Sequence, residues 1–211
     1  MSHRSLRDPI ELWRGHFGDE YIARNTGSET GIQDRARLWA GILDAFGTNQ
    51  PRRILEVGSN IGDNLRAIRR ISSATLLALE PNAEARRLLT EAALLPPDCI
   101  LEGTATSIPL PDRSVDLAFT CGVLIHIPPD QLAAACREIL RVSDRAVVCI
   151  EYFSRVPEQI TYRGMENMLF KRDFGRFWLD NFPDLRWRDY GFAWEHATGL
   201  DDSTWWILER R

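Results

Sequence analysis

Residues 52–64 read RRILEVGSNIGDN and follow a short break at GTNQP (47–51). An apolar run ends on Glu56, after which Gly58 and Gly62 frame a polar loop. A buried strand that stops at a carboxylate and a glycine turn suits an open parallel sheet. There, ligands sit beyond the C-terminal strand ends and glycine lets the backbone approach them. The rhythm downstream agrees. Short apolar runs, TLLALEP, CILEGTA, VDLAFTCG and RAVVCIEYF, alternate with the helical stretches NLRAIRRI, AEARRLLTEAAL and PPDQLAAACREILRV. Runs this apolar, separated by amphipathic helices, suit parallel strands covered on both faces.

Upstream the period is helical. Asp8 and Pro9 form a cap and first-turn pair in DPIELWRGHF, and Ile32, Leu38, Trp39, Ile42, Leu43 and Phe46 share one face of SETGIQDRARLWAGILDAFG. Between them GDEYIARNTG is polar and glycine-flanked. Residues 154–183 are aromatic and charged; they read as a long substrate-facing loop with one helix starting near Lys171. DLRWRDYGFAW and STWWILER close the chain as two strands. The expected organisation is an N-terminal helical lid segment (1–47) on a domain at 48–211, compact as one unit.

The chain has 211 residues, 44% of them hydrophobic, which allows one full core. Its net charge of −4 offers no basic field for a phosphate backbone, so a nucleic-acid partner is not expected. The N-terminus carries charges where a signal peptide needs an apolar region, and no window nears 18 apolar residues; a soluble, cytoplasmic protein without a membrane partner is expected. Cys99, Cys121, Cys136 and Cys149 lie far apart and read as free thiols, and no metal is expected. Trp178, Trp187, Trp194, Trp205 and Trp206 read as core and hairpin packing.

The glycine loop narrows the ligand. Its spacing, Gly58-x-Asn60-x-Gly62, departs from the dinucleotide pattern, and a pyrophosphate on the following helix N-terminus is ill-matched to Glu56 and Asp63 beside it. Glu80 ends the next strand before Pro81, 24 residues after Glu56, where a carboxylate accepts from both hydroxyls of a ribose. Acid, glycine turn and ribose carboxylate point to an adenosyl ligand without phosphate, which S-adenosylmethionine fits.

The segments LEVGSNIGDN, ALEPN, GTATSIPLPDRSVDLAFTCGVLIHI and AVVCIEYF resemble the successive motifs of class I S-adenosylmethionine-dependent methyltransferases. That resemblance implies a Rossmann-like α/β fold with a mostly parallel seven-stranded sheet, a C-terminal antiparallel hairpin and N-terminal lid helices. More narrowly, LWRGHFGDEYIARN, EYFSRVPEQITYRG, LFKRDFG, FPDLRWRDYGFAW and DDSTWW resemble the methylases associated with pseudaminic acid biosynthesis. Asn60 stands where many relatives have glycine and is well able to take a left-handed conformation. Thr104 stands where many have an acid, which leaves the adenine to backbone groups near Thr104 and Ala105.

With the resemblance, the cofactor residues are Tyr21, Arg24, Glu56, Gly58, Asn60, Gly62, Glu80, Pro81, Thr104, Ala105 and Cys121. Arg24 suits a methionine carboxylate, a helix cap or a bridge to the GDE segment. Asp63 is a ligand acid or a first-turn acid. His126 falls beside the transferable methyl, where a neutral imidazole can take a proton, or is structural. Glu151 is open to three roles: base, partner of a cationic acceptor, or partner of an arginine. Tyr162 joins His126 and Glu151 as a catalytic candidate. Trp13, Phe17, Tyr152, Tyr162 and Arg163, with Glu151, are the substrate-binding candidates, aromatic faces being favourable around a sulfonium. Asn25 completes the lid residues.

The expected reaction is methyl transfer to N or O of a small polar metabolite, such as an amino sugar of the nonulosonate type, leaving S-adenosylhomocysteine. An amino acid or guanidine acceptor is the main rival, ahead of an RNA or protein methyltransferase and a non-catalytic cofactor-binding module. A monomer or homodimer is expected.

Overall fold

The computed structural model describes residues 9–24 and 27–211; Asp8 and Asn25 lie outside the described residues. Three helices come first, α1 (Pro9–Arg14), α2 (His16–Arg24) and α3 (Glu29–Asp44). Strands and helices then alternate: β1 (Arg53–Val57), α4 (Asp63–Ile71), β2 (Thr75–Glu80), α5 (Ala83–Glu91), β3 (Ile100–Glu102), β4 (Val115–Cys121), α6 (Pro129–Val142) and β5 (Ser143–Glu151). The chain ends with β6 (Glu158–Tyr162), β7 (Met165–Lys171), α7 (Phe174–Asn181), β8 (Leu185–Ala193), α8 (Glu195–Thr198) and β9 (Ser203–Arg210).

The main sheet has seven strands in the order β3-β2-β1-β4-β5-β9-β8. The first five are parallel, and β9 and β8 add an antiparallel edge. This is the Rossmann-like topology with its C-terminal hairpin that the motifs imply. The chain runs β1-β2-β3 towards one edge, then returns to place β4 and β5 on the other side of β1. Such a reversal opens a crevice at the C-terminal ends of β1 and β4.

Side chains alternate across each strand, so neighbours enter opposite cores. Ile54, Leu76, Leu117 and Val148 pack with Trp39 and Ile42 of α3 and Leu65 of α4. Leu55, Leu77, Ala118 and Val147 face Leu132 and Ile139 of α6 and Trp178 of α7. Ser28 caps α3, its hydroxyl accepting from Gly31 N at 3.0 Å, and fixes where that helix begins.

The region after Phe153 differs from expectation. Residues 158–171 form a β-hairpin, β6–β7, turned at Arg163 and Gly164 with φ of 52° and 77°. Two consecutive positive φ values are what a tight two-residue hairpin needs, but Arg-Gly lacks the usual Asn or Asp at its first position. The helix expected near Lys171 begins at Phe174, where Asp173 accepts from Arg176 N at 2.9 Å. The segment GDEYIARNTG is largely helix α2. Trp178 and Trp206 are buried, whereas Trp187 and Trp194 are more than half exposed. Among the described residues no helix is long and apolar enough to cross a membrane.

Candidate active site

A cavity of about 450 Å³ occupies the crevice at the ends of β1, β2 and β4, roofed by α1 and α2. The loop after β1 forms its floor. Gly58 has a φ of 75°, and a Cβ there would lie 2.6 Å from Val123 Cγ2, so only glycine fits between the loop and the turn after β4. Asn60 also takes a left-handed φ, 47°, and this turns its amide toward Glu80.

Glu80 is buried, and its oxygens accept from Asn60 N at 2.7 Å and Asn82 N at 2.8 Å. Each carboxylate oxygen can accept about two hydrogen bonds, so one site per oxygen remains for a ligand. Burial raises its pKa against the pull of those amides. Asn82 caps α5 through Ala85 N at 2.9 Å, while its Nδ2 donates to Trp13 O at 3.1 Å and Asp19 Oδ1 at 2.8 Å. One side chain thereby ties the roof to the sheet. Gly18 permits the approach, since a Cβ there would lie 2.0 Å from Trp13 O.

At the β1 end, Glu56 Oε1 accepts from Asn64 Nδ2 at 2.8 Å, and Asn64 Oδ1 accepts from Trp39 Nε1 at 3.3 Å. Glu56 Oε2 and Asp63 Oδ1 are buried without a hydrogen-bond partner among the described residues. Burial pushes the Glu56 carboxyl up to about 8 and that of Asp63 upward. Arg35 of α3 lines the same end, and its charge draws both back toward ionisation. Two partly unsatisfied acids beside one guanidinium suit a ligand carrying both an ammonium and a carboxylate.

At the β4 end the wall is aromatic. The Trp13 ring lies 4.8 Å from His126, 5.3 Å from Tyr21 and 5.0 Å from Phe17, and His126 lies 5.2 Å from Tyr162. His126 Nδ1 is 2.5 Å from Met168 O, so the hydrogen is assigned to Nδ1 and Nε2 keeps its lone pair. Burial pushes this imidazole down to about 4, the Tyr21 phenol up to about 12 and the Cys121 thiol up to about 12. All three are neutral at pH 7.

Trp13, Tyr21, Glu56, Gly58, Asn60, Asp63, Glu80, Pro81, Thr104, Ala105, Cys121 and His126 line this cavity; the other candidates lie elsewhere. Arg24 does not line the cavity and reaches Glu20 Oε2 at 4.0 Å, the bridge to GDE. Gly62 lies below the loop as the left-handed residue before α4. Glu151 is fully buried beneath the turn Leu124–His126, accepting from Val123 N, Leu124 N and Ile125 N at 3.2, 3.0 and 3.3 Å. Its place is under the cavity wall, where its oxygens are held by the backbone.

Tyr152 donates to Asp201 Oδ2 at 2.6 Å, with Lys171 Nζ 5.2 Å from its ring centroid. Arg163 is an exposed turn residue 5.4 Å from the Tyr162 ring, and Phe17 and Tyr162 form a second layer behind Trp13 and His126. Sequence reasoning missed Arg35, Asn64 and Asn82. Arg35 had a readable signal, a charge on the α3 face between Ile32 and Trp39.

Residues 55–150 match the family model described as a methyltransferase domain. No curated protein matches the chain in sequence. Among solved structures, magnesium protoporphyrin IX methyltransferase from Synechocystis, crystallised with S-adenosylhomocysteine, is similar at 12% identity. That match covers 96% of this chain and 98% of the other, with a TM-score of 0.68. The 1,6-didemethyltoxoflavin-N1-methyltransferase of Burkholderia thailandensis, with its substrate and S-adenosylhomocysteine bound, shares 12% identity over 99% and 93% of the two chains, TM-score 0.69. A possible histamine N-methyltransferase from Thermotoga maritima shares 13% identity over 95% and 99%, TM-score 0.65. These likenesses establish a common fold.

Proposed function

We propose that the cavity binds S-adenosylmethionine and that the chain transfers its methyl group to a nitrogen of a small polar metabolite. The observation carrying this reading is the arrangement of Glu80, with an acceptor site left on each oxygen, beside the cluster of Glu56, Asp63 and Arg35. One end suits a ribose without phosphate and the other a zwitterionic amino acid tail. The match of residues 55–150 to a methyltransferase domain supports the same reading. Glu80 holds the ribose hydroxyls, Thr104 and Ala105 flank the adenine, and Arg35, rather than Arg24, receives the carboxylate bidentately. Glu56 takes the ammonium, and α1 with α2 forms the cover.

When bound, the cofactor supplies an electrophilic sulfonium methyl and leaves as S-adenosylhomocysteine. The chain has only to align the acceptor and exclude water. Trp13 and Tyr21 line the cavity and would offer aromatic surface to the cation. His126, fixed by Met168 O, accepts a hydrogen bond at Nε2 and orients the acceptor's lone pair. A group pushed down to about 4 is a weak base, and Glu151 is occupied by three amides. A neutral amine needs no strong base to attack, so nitrogen is favoured over a sugar hydroxyl.

Within that class, the motifs shared with the pseudaminic acid-associated methylases favour an amino sugar of the nonulosonate type; amino acid and guanidine acceptors are the alternative. The test is incubation with methyl-labelled S-adenosylmethionine and a panel of amino sugars, amino acids and guanidines, followed by mass spectrometry. Label on a sugar nitrogen is expected. Label on an amino acid transfers the assignment to the alternative, and cofactor binding without label on any acceptor favours a binding module.

A further inference from the structure

The face of the terminal hairpin beyond α7 is aromatic and open. Trp187, Tyr190 and Phe192 of β8 are 61, 64 and 60% exposed, and Phe153, just past β5, is 48% exposed. Their strand partners Leu208, Trp206 and Thr204 alternate along β9, and the irregularity between Trp187 and Asp189 keeps Trp187 in line with the other two. Trp187 lies 6.4 Å from Tyr190, and Phe153 6.4 Å from Trp206, so the rings form a continuous surface. The same side of the sheet is core further in, where Leu185, Trp206 and Leu208 pack with Trp178. The surface is thus a core-like face from which the covering helix is missing.

We propose that this face is the interface of a two-fold homodimer, a second copy of the chain laying its own Trp187, Tyr190, Phe192 and Phe153 against it. Four half-exposed rings present on the order of 500 Å² per copy. Doubled, that reaches the ~1,000 Å² a specific interface requires. The partner is argued from charge. Arg186 and Arg188 are drawn to Glu209 at 2.9 and 2.6 Å, and Asp189 pairs in register with Ile207 of the opposite core, so like copies meet without repulsion. Rings packing on rings are self-complementary, as an isologous contact needs. An anionic lipid surface would call for a basic rim, and the chain carries a net charge of −4. The contact is between faces and not between strand edges, because Asp189 Oδ1 occupies the Tyr190 amide at 2.8 Å and blunts the edge.

Sedimentation velocity between about 1 and 100 μM tests this, a range suited to an interface near the lower size limit. The expected result is a rise from the monomer mass of 24.2 kDa to twice that value. The double variant Tyr190→Lys/Phe192→Lys stays monomeric throughout, with a thermal midpoint close to that of the parent, since exposed substitutions rarely move stability by more than about 0.5 kcal/mol. A parent protein that remains monomeric at the highest concentration overturns the proposal. So does a double variant that dimerises equally well, which places the interface elsewhere, and so does a monomer that co-sediments with neutral phosphatidylcholine vesicles through this face.

Discussion

Replacing Glu151 separates a framework role from chemistry. Its carboxylate accepts three backbone amides from the turn that carries His126, and no water reaches it. In Glu151→Ala three buried N–H groups lose their acceptor, each at about 1–3 kcal/mol. Part is returned, because burial holds the carboxyl up at about 7 and removing it relieves a cost on the order of 3 kcal/mol at pH 8. At the middle of that range the net loss is about 3 kcal/mol, which for a chain of this size lowers the thermal midpoint by roughly 6–12 °C. Glu151→Gln keeps the shape and one acceptor, loses the charge assistance and points an NH₂ at an amide, so it costs about 2 kcal/mol. Differential scanning calorimetry reads the stability, and labelled methyl transfer at 20 °C reads the activity. We expect Glu151→Gln to unfold earlier while keeping kcat within about fivefold of the parent, roughly 1 kcal/mol in barrier. A Glu151→Gln protein of unchanged midpoint and unchanged cofactor affinity, but a hundredfold slower, would refute this and make Glu151 the base.

Three further expectations concern the cavity. The folded, cofactor-free protein holds a proton on Glu56 up to about pH 8, whereas the unfolded chain releases it near the ordinary carboxyl value of 4.5. Stability therefore falls as pH rises from 4.5 to 8, by about 4 kcal/mol for this group, and Glu56→Gln should flatten thermal midpoints measured from pH 5.5 to 8.5; an equal slope in the variant contradicts the assignment. Removing the guanidinium in Arg35→Met should weaken S-adenosylhomocysteine binding by 10–100-fold, a loss of about 1.4–2.8 kcal/mol, while Arg24→Met changes it less than twofold; calorimetric titration distinguishes them, and the reverse order would restore Arg24. Glu80→Gln should cost at least tenfold in the same titration, since an amide cannot accept from two hydroxyls and two backbone amides together; undiminished affinity would remove the ribose from this end.

Much of this was readable from residue order because the parallel strands are buried on both faces. Runs such as RILEVG and TLLALE have no amphipathic alternative, and the glycine loop and Glu80 follow from their strand ends. What was hidden depends on tertiary neighbours. The strands 158–162 and 165–171 alternate weakly and turn at Arg-Gly, so their hairpin resembled a loop. Arg24 and Arg35 are equivalent as residue types, and only the pairing of Arg24 with Glu20 and the seating of α3 beside Glu56 separate them. Glu151 sits at a strand end like Glu56 and Glu80, but the turn after β4 folds over it and takes its oxygens. The exposure of Trp187 depends on which side chains cover its face of β8, which composition does not encode.

The most direct test of the cofactor assignment is isothermal titration of the protein with S-adenosylmethionine, S-adenosylhomocysteine and, as phosphate-bearing comparators, ATP and NAD. The arrangement of Glu80, Glu56, Asp63 and Arg35 predicts one site of micromolar affinity for the two adenosyl amino acids and no measurable binding of the comparators. Binding of ATP or NAD in preference to S-adenosylmethionine, or an affinity for S-adenosylmethionine that survives the loss of both Glu80 and Arg35, would contradict it.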